Sequence, residues 1–352
     1  MTEMTHINEK TSFTASAPSN IAFIKYWGKR DPELQWPAND SLSMTLKESR
    51  TITTARLSPQ TYDTFSFEGR TLNSSQHPDH KIFRHLDRMR ALTGISARLD
   101  IESQNTFPTG CGIASSASGF AALTIASAAA LTGEDSLDGL ATRGLGRSVL
   151  ADCARQGSGS AGRSLFDGFV AWTAGKQPSE QKITREHPVN HWELADVIVV
   201  LSDLEKSVSS SQAHLAAWAS PLFSPRLSGL SERLTNVRLA LQNKDLRLLG
   251  SLIETDALEM HAVAMTGEPR VCYLSSDSKN FITWVRDERL AGRLDAWFTI
   301  DAGPNVHLIC AADDASRISQ HIKKHWPRAK VISDRVGSGP TLCRGTREAK
   351  FD

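Results

Sequence analysis

Charge imbalance, long apolar runs and paired cysteines are all missing from this 352-residue sequence, and each absence closes off a class of function. Forty Lys and Arg face thirty-nine Asp and Glu, for a formal net charge of +1, so no global field draws the chain to nucleic acid or to a membrane surface. Any anion site must therefore be local. No apolar run approaches the roughly 20 residues that cross a bilayer, and the polar start MTEMTHINEKTS lacks the apolar core of a secretory signal. Both features predict a cytoplasmic protein. The five cysteines (Cys111, Cys153, Cys272, Cys310 and Cys343) are scattered, without a CxxC pair or a His at ligand spacing. They read as free thiols, which argues against structural zinc.

The length and a 40% hydrophobic content suffice for two ordinary domains, each with its own core. Residues 13–57 alternate short β-prone runs with loops, 98–103 read as another strand, and the small-residue run 114–131 reads as a buried helix stopped by Thr132-Gly133. A second helix is predicted over 137–153, a Gly/Ser loop over 157–160 and a strand over 168–172. The composition then turns polar from 174 to 193, which places a domain boundary there, between 12–192 and 193–345. Beyond it, VIVVL at 197–201 reads as a buried strand. Helical patterns follow at 210–218, 225–242, 246–264 and 277–290, then strands at 296–300 and 306–311, one more helix, and a final strand near Val331. This is α+β order with no internal repeat, and the charged residues 343–352 are expected to fray.

Four segments carry candidate chemistry. The run PTGCGIASSAS at 108–118 is a Gly-rich turn feeding a helix, whose unpaired N–H groups and dipole suit a phosphate, with Ser115, Ser116 and Ser118 as further donors. A capped helix with small residues for close packing fits the same residues. The run has no Lys after its last Gly, so it is no Walker motif, and it is no dinucleotide fingerprint. Next, IKYWGKR places Lys25, Lys29 and Arg30 within six residues beside Tyr26 and Trp27, a cluster that suits a multiply charged anion or a solvated basic edge. Arg163 in GSGSAGRS lies among residues too small to shield it, and Asp301 ends a β-prone run before Gly303-Pro304. Singly, the first can be a structural ion-pair partner and the second a turn residue.

Jointly, these stretches resemble the mevalonate diphosphate decarboxylase family of the GHMP small-molecule kinase superfamily. The matching runs are SAPSNIAFIKYWGKRD, PANDSLSMTL, SQNTFPTGCGIASSASGFAAL, QGSGSAGRSLFDGFVAW, DALEMHAV, FTIDAGPNVHLI and VGSGP, in family order from about residue 14 to 340. The resemblance implies a two-domain α+β fold, with an N-terminal domain like domain 2 of ribosomal protein S5, a ferredoxin-like C-terminal domain and an active site in the cleft between them. It also implies ATP and Mg2+, a small phosphorylated 3-hydroxy acid as substrate, and a homodimer. ATP would phosphorylate the tertiary 3-hydroxyl, and loss of phosphate and carbon dioxide would then give an alkene.

By the same resemblance, Asp301 orients the 3-hydroxyl and takes its proton, Arg163 holds the substrate carboxylate, and Lys25 reaches between the phosphate groups and Asp301. Tyr26, Lys29, Asn39, Ser160 and Ser209 match substrate contacts. Asn105, Pro108, Gly110, Gly112, Ser115, Ser116 and Ser118 match the nucleotide side, with Ser116 as a magnesium contact. Ser209 reads equally well as a helix cap, and His261 as a core histidine. One departure concerns the run after Ser210. Bacterial relatives carry an Arg there that contacts the diphosphate, whereas this chain continues Ser211-Gln212-Ala213-His214. That loss keeps a 5-phosphate substrate open beside the 5-diphosphate. Retention of Lys25, Arg163 and Asp301 argues against a 3-kinase without decarboxylation and against a non-catalytic ligand sensor.

Overall fold

The computed structural model describes residues 11–108, 113, 115–202 and 208–345. Its first sheet is built on two long antiparallel strands, Ser12–Ile24 and Ser41–Leu57, rather than on several short runs. Register shifts at Pro18/Asn20 and Ala22/Ile24 let the pair bend without ending, because a bulge absorbs an irregular residue while pairing resumes beyond it. The far edge of Ser41–Leu57 is shared. Its first residues pair with Phe169–Thr173 and its last with Leu99–Asn105, so the sheet splays into two arms.

Helix Ser115–Thr132 packs across this sheet and joins its core beside Phe13, Leu99 and Val170. By length and composition it could cross a membrane, a feature the reading of the sequence passed over, yet 83% of it is buried inside the fold. Its many alanines let backbone and sheet approach closely.

The structure corrects four expectations. The helix predicted over 137–153 is two, Leu137–Thr142 and Arg147–Gly157, broken where Gly144 takes a φ of 78°. Helix Lys81–Thr93, which buries Ile82, Phe83, Leu86 and Met89, and the hairpin Thr64–Phe67/Arg70–Asn73 were not anticipated. The polar stretch at 174–193 contains strand Lys182–His187, paired with Phe169–Thr173. Cys343 and Arg344 do not fray, since strand Thr341–Arg344 pairs with the outer edge of Ser12–Ile24.

The second sheet runs Trp297–Thr299, Val306–Ala311, Leu194–Val200, Lys330–Arg335, all antiparallel. Alternation along Leu194–Val200 assigns its two faces. Ala195, Val197 and Val199 pack with Phe281 and Ile318, whereas Leu194, Ile198 and Val200 share a core with Leu249 and Ile253 and with Ile21, Phe23 and Leu42 of the first sheet. That shared core joins the two sheets. Asp334 reinforces the junction: its buried carboxylate accepts from the backbone N–H groups of Lys47 (3.0 Å), Glu48 (2.9 Å) and Ser49 (2.8 Å).

Candidate active site

The ends of strands from both sheets meet at one cavity of about 300 Å³. Lys25 follows the last residue of Ser12–Ile24, and Asp301 lies just beyond Trp297–Thr299. The Lys25 Nζ donates to the Asp301 Oδ1 at 2.6 Å, with Lys25 only 2% exposed and Asp301 25% exposed on the cavity side. Both backbone groups of Lys25 are also tied down. Its N–H donates to the Asp256 Oδ2 at 2.8 Å, and its carbonyl accepts from the Asn39 Nδ2 at 3.0 Å.

Arg163 sits in the 3-10 helix Gly159–Leu165 and is buried. Its guanidinium donates to Ser43 Oγ (2.9 Å), Ser41 Oγ (2.7 Å) and Asn20 Oδ1 (3.3 and 3.2 Å). These partners are neutral: they fix the orientation of the fork and leave its charge for an anion. Burial draws Arg163 down to about 10, with Asp301 working in the opposite direction, so it remains a cation at neutral pH.

Tyr26 lines the same cavity, its ring against Trp172 and His214, and its hydroxyl has no hydrogen-bond partner among the described residues. That hydroxyl is buried beneath the Gly159 backbone. Close approach of the Gly159 backbone holds the ring, because a Cβ there would meet Tyr26 at 2.5 Å. Lys29 is 6% exposed, and burial pushes its ammonium down to about 8.

The cavity thus gathers Lys25, Tyr26, Lys29, Ser115, Ser116, Ser160, Arg163 and Asp301 from the residues singled out in the sequence. Ser116 and Ser158 place their hydroxyl oxygens 3.1 Å apart, at the start of helix Ser115–Thr132. Other candidates lie elsewhere. Asn39 is spent on backbone contacts behind Lys25, and Ser118 turns inward to Thr51 Oγ1 (2.7 Å). Asn105 accepts from that same Thr51 hydroxyl at 2.7 Å, and Pro108 is exposed outside the cavity lining. Ser209 is the N-cap of helix Ser210–Ala216 in a capping box with Gln212, while Ser210 and Ser211 face the cavity. Gly110 and Gly112 lie outside the described residues.

Three wall or support residues were missed. Lys81 opens helix Lys81–Thr93 with its ammonium 5.7 Å from the Phe120 ring centre, in a stretch without motif character. Asp256 and His214 were both within quoted runs, but nothing in their spacing separates a buried polar support from an exposed helix residue. His261 is buried as a core residue with its ring against Tyr273, and it is held down to about 3 chiefly by burial.

A family model for the diphosphomevalonate decarboxylase-like N-terminal domain matches residues 17–184, and one for the mevalonate 5-diphosphate decarboxylase C-terminal domain matches 196–349. The chain belongs to the mevalonate diphosphate decarboxylase family. It is 37% identical over 347 residues to the diphosphomevalonate decarboxylase of Ganoderma lucidum, covering 92% of this chain and 84% of that one. The Saccharomyces cerevisiae enzyme is 34% identical, with 89% and 82% covered. Among solved structures, a family member in complex with MVAPP, AMPPCP and magnesium superposes with a TM-score of 0.85 at 33% identity, over 95% of this chain and 99% of that one. The Staphylococcus aureus mevalonate diphosphate decarboxylase gives 0.84 at 32%, over 94% and 98%. The two-sheet α+β architecture expected from the resemblance is therefore the one found.

Proposed function

We propose that this chain decarboxylates mevalonate 5-diphosphate with consumption of ATP, releasing isopentenyl diphosphate, ADP, phosphate and carbon dioxide. The observation that carries the reading is the Lys25–Asp301 ion pair, facing the same cavity as a buried Arg163 whose hydrogen bonds all go to neutral partners. Asp301 orients the 3-hydroxyl and accepts its proton as the oxygen bonds to the γ-phosphorus of ATP and ADP departs. The carbon–oxygen bond then breaks with phosphate taking its electron pair, and the carbon–carboxylate bond supplies the electrons of the new double bond. An ion-paired carboxylate is a weak base, so orientation in a confined cavity contributes more than basicity. Arg163 holds the carboxylate that leaves as carbon dioxide, while Lys25 and the hydroxyls of Ser115 and Ser116 face the transferred phosphate.

Among the described residues no group of three His, Cys, Asp or Glu side chains could hold a metal ion. The hydroxyl of Ser116, on the cavity wall at the start of helix Ser115–Thr132, would touch magnesium brought in on the ATP phosphates, where the ion would offset their charge. The same reading keeps two domains, 12–192 and 193–345, and a cytoplasmic location, both read from the sequence, and a homodimer on the family resemblance.

The test assays mevalonate, its 5-phosphate and its 5-diphosphate, scoring ADP and carbon dioxide separately. The 5-diphosphate should give equal amounts of both. ADP without carbon dioxide would make the protein a 3-kinase. The neutral Ser210 and Ser211 at the wall favour, as a second reading, the 5-phosphate, which a higher kcat/KM for that compound would establish.

A further inference from the structure

A short helix, Ser210–Ala216, brings His214 to the cavity wall. The imidazole is only 7% exposed and stacks on Tyr26 (4.3 Å between ring centres, 31° between planes) and Trp27 (4.6 Å, 37°). Its Nδ1 meets the backbone N–H of Gly28 at 3.0 Å. A backbone N–H can only donate, so Nδ1 must present its lone pair and the ring proton resides on Nε2. Gly28 itself cannot readily turn away, since it holds a φ of 83° with Phe223 packed against the place of its missing Cβ.

Nε2 is therefore a neutral, oriented donor. Among the described residues it has no hydrogen-bond partner, and unlike the Nε2 of His261 it is not sealed from solvent. Tyr26, Lys29, Ser210 and Ser211 line the same cavity. We propose that His214 is a substrate-binding residue, its Nε2–H donating to a non-reacting phosphate oxygen of the substrate beside Lys29. The inference rests on the function proposed above and deepens it. A donor without charge is what this wall can accommodate, because burial and the neighbouring Lys29 both hold His214 well below its ordinary value, and protonation of Nδ1 would break the Gly28 bond.

The test uses the full chain with mevalonate 5-diphosphate. His214→Phe keeps an aromatic ring against Tyr26 and Trp27 but cannot donate. It should raise the KM for the phosphorylated substrate about ten- to a hundredfold, the cost of one hydrogen bond to a charged acceptor, with smaller changes in kcat and in the KM for ATP. His214→Gln, which can accept from Gly28 and donate from its amide, should recover most of that loss. Should His214→Phe fail to fold, nitrogen NMR of histidine-labelled wild type decides: one Nε2–H resonance, absent from His214→Gln, must move when substrate is added without ATP. Equal substrate KM in wild type and His214→Phe, no recovery in the Gln variant, or a His214 resonance indifferent to substrate would each overturn the proposal. Absence of carbon dioxide release by wild type would instead overturn the functional reading.

Discussion

Asp301 and Lys29 line one cavity, and the tasks proposed for them can be tested separately. In Asp301→Asn the amide keeps the shape of the carboxyl but can neither accept the hydroxyl proton nor neutralise Lys25, 2.6 Å away. Turnover should fall by about 10²–10⁴-fold, with ATP and substrate still bound by calorimetry. Activity within a fewfold of wild type would remove Asp301 from the mechanism. For Lys29 the sign follows from burial, which destabilises the ammonium and lowers its value to about 8. The cation is present below that pH and lost above it. The KM for the anionic substrate should therefore rise between about pH 8 and pH 9.5, approaching tenfold per unit, and Lys29→Arg should flatten the rise because a guanidinium stays charged. A flat wild-type profile would show that Lys29 does not bind the phosphates.

Helix Leu246–Thr266 acts at the next scale, because it fixes the backbone of Lys25, one member of the ion pair. Asp256 holds the N–H of Lys25 at 2.8 Å. Asp256 is itself completely buried and neutralised by Arg226 (3.0 Å) and Arg233 (3.2 Å). Asp256→Asn leaves Arg226, 1% exposed, with a weakened partner, and should cost about 3 kcal/mol of stability by denaturant titration. Well below the unfolding midpoint, kcat should still fall about ten- to a hundredfold with little change in either KM, since the displaced group is a positioned lysine rather than a ligand contact. A stability loss with unchanged kcat would confine Asp256 to a structural role.

At the scale of the whole molecule, the site exists only while the two sheets keep their relation, since Lys25 comes from one and Asp301 from the other. Asp334 ties them through three backbone N–H groups that have no other role in a ladder at that point. Asp334→Ala should orphan those donors and cost about 3 kcal/mol or more, with kcat per folded molecule reduced as the ion pair loosens. Unchanged stability would mean that water replaces the carboxylate. The final strand adds a second tie, because Thr341–Arg344 leaves the second sheet's region to close the edge of the first.

Residues that line the cavity were legible in the chain itself. Lys25, Arg163, Asp301 and the Ser115-Ser116 pair occur in runs whose order and spacing no ordinary helix or turn requires, and the strand patterns around Val197 and Val306 announced the second sheet by alternation or continuous apolarity. Spacing along the chain could not separate cavity walls from their supports. Asn39, Asn105 and Ser118 share the motifs of the site yet bond backbone groups or Thr51, whereas Lys81 reaches the cavity from a stretch without motif character and His214 from a run whose spacing marks no buried group. Cys343 and Arg344 likewise looked frayed because a polar edge strand carries little local signal until its partner, more than 300 residues away in sequence, is in place. The sequence alone determined which chemistry is present. Which groups share one cavity was decided by the pairing of distant strands, since hydrogen bonding and burial act through space.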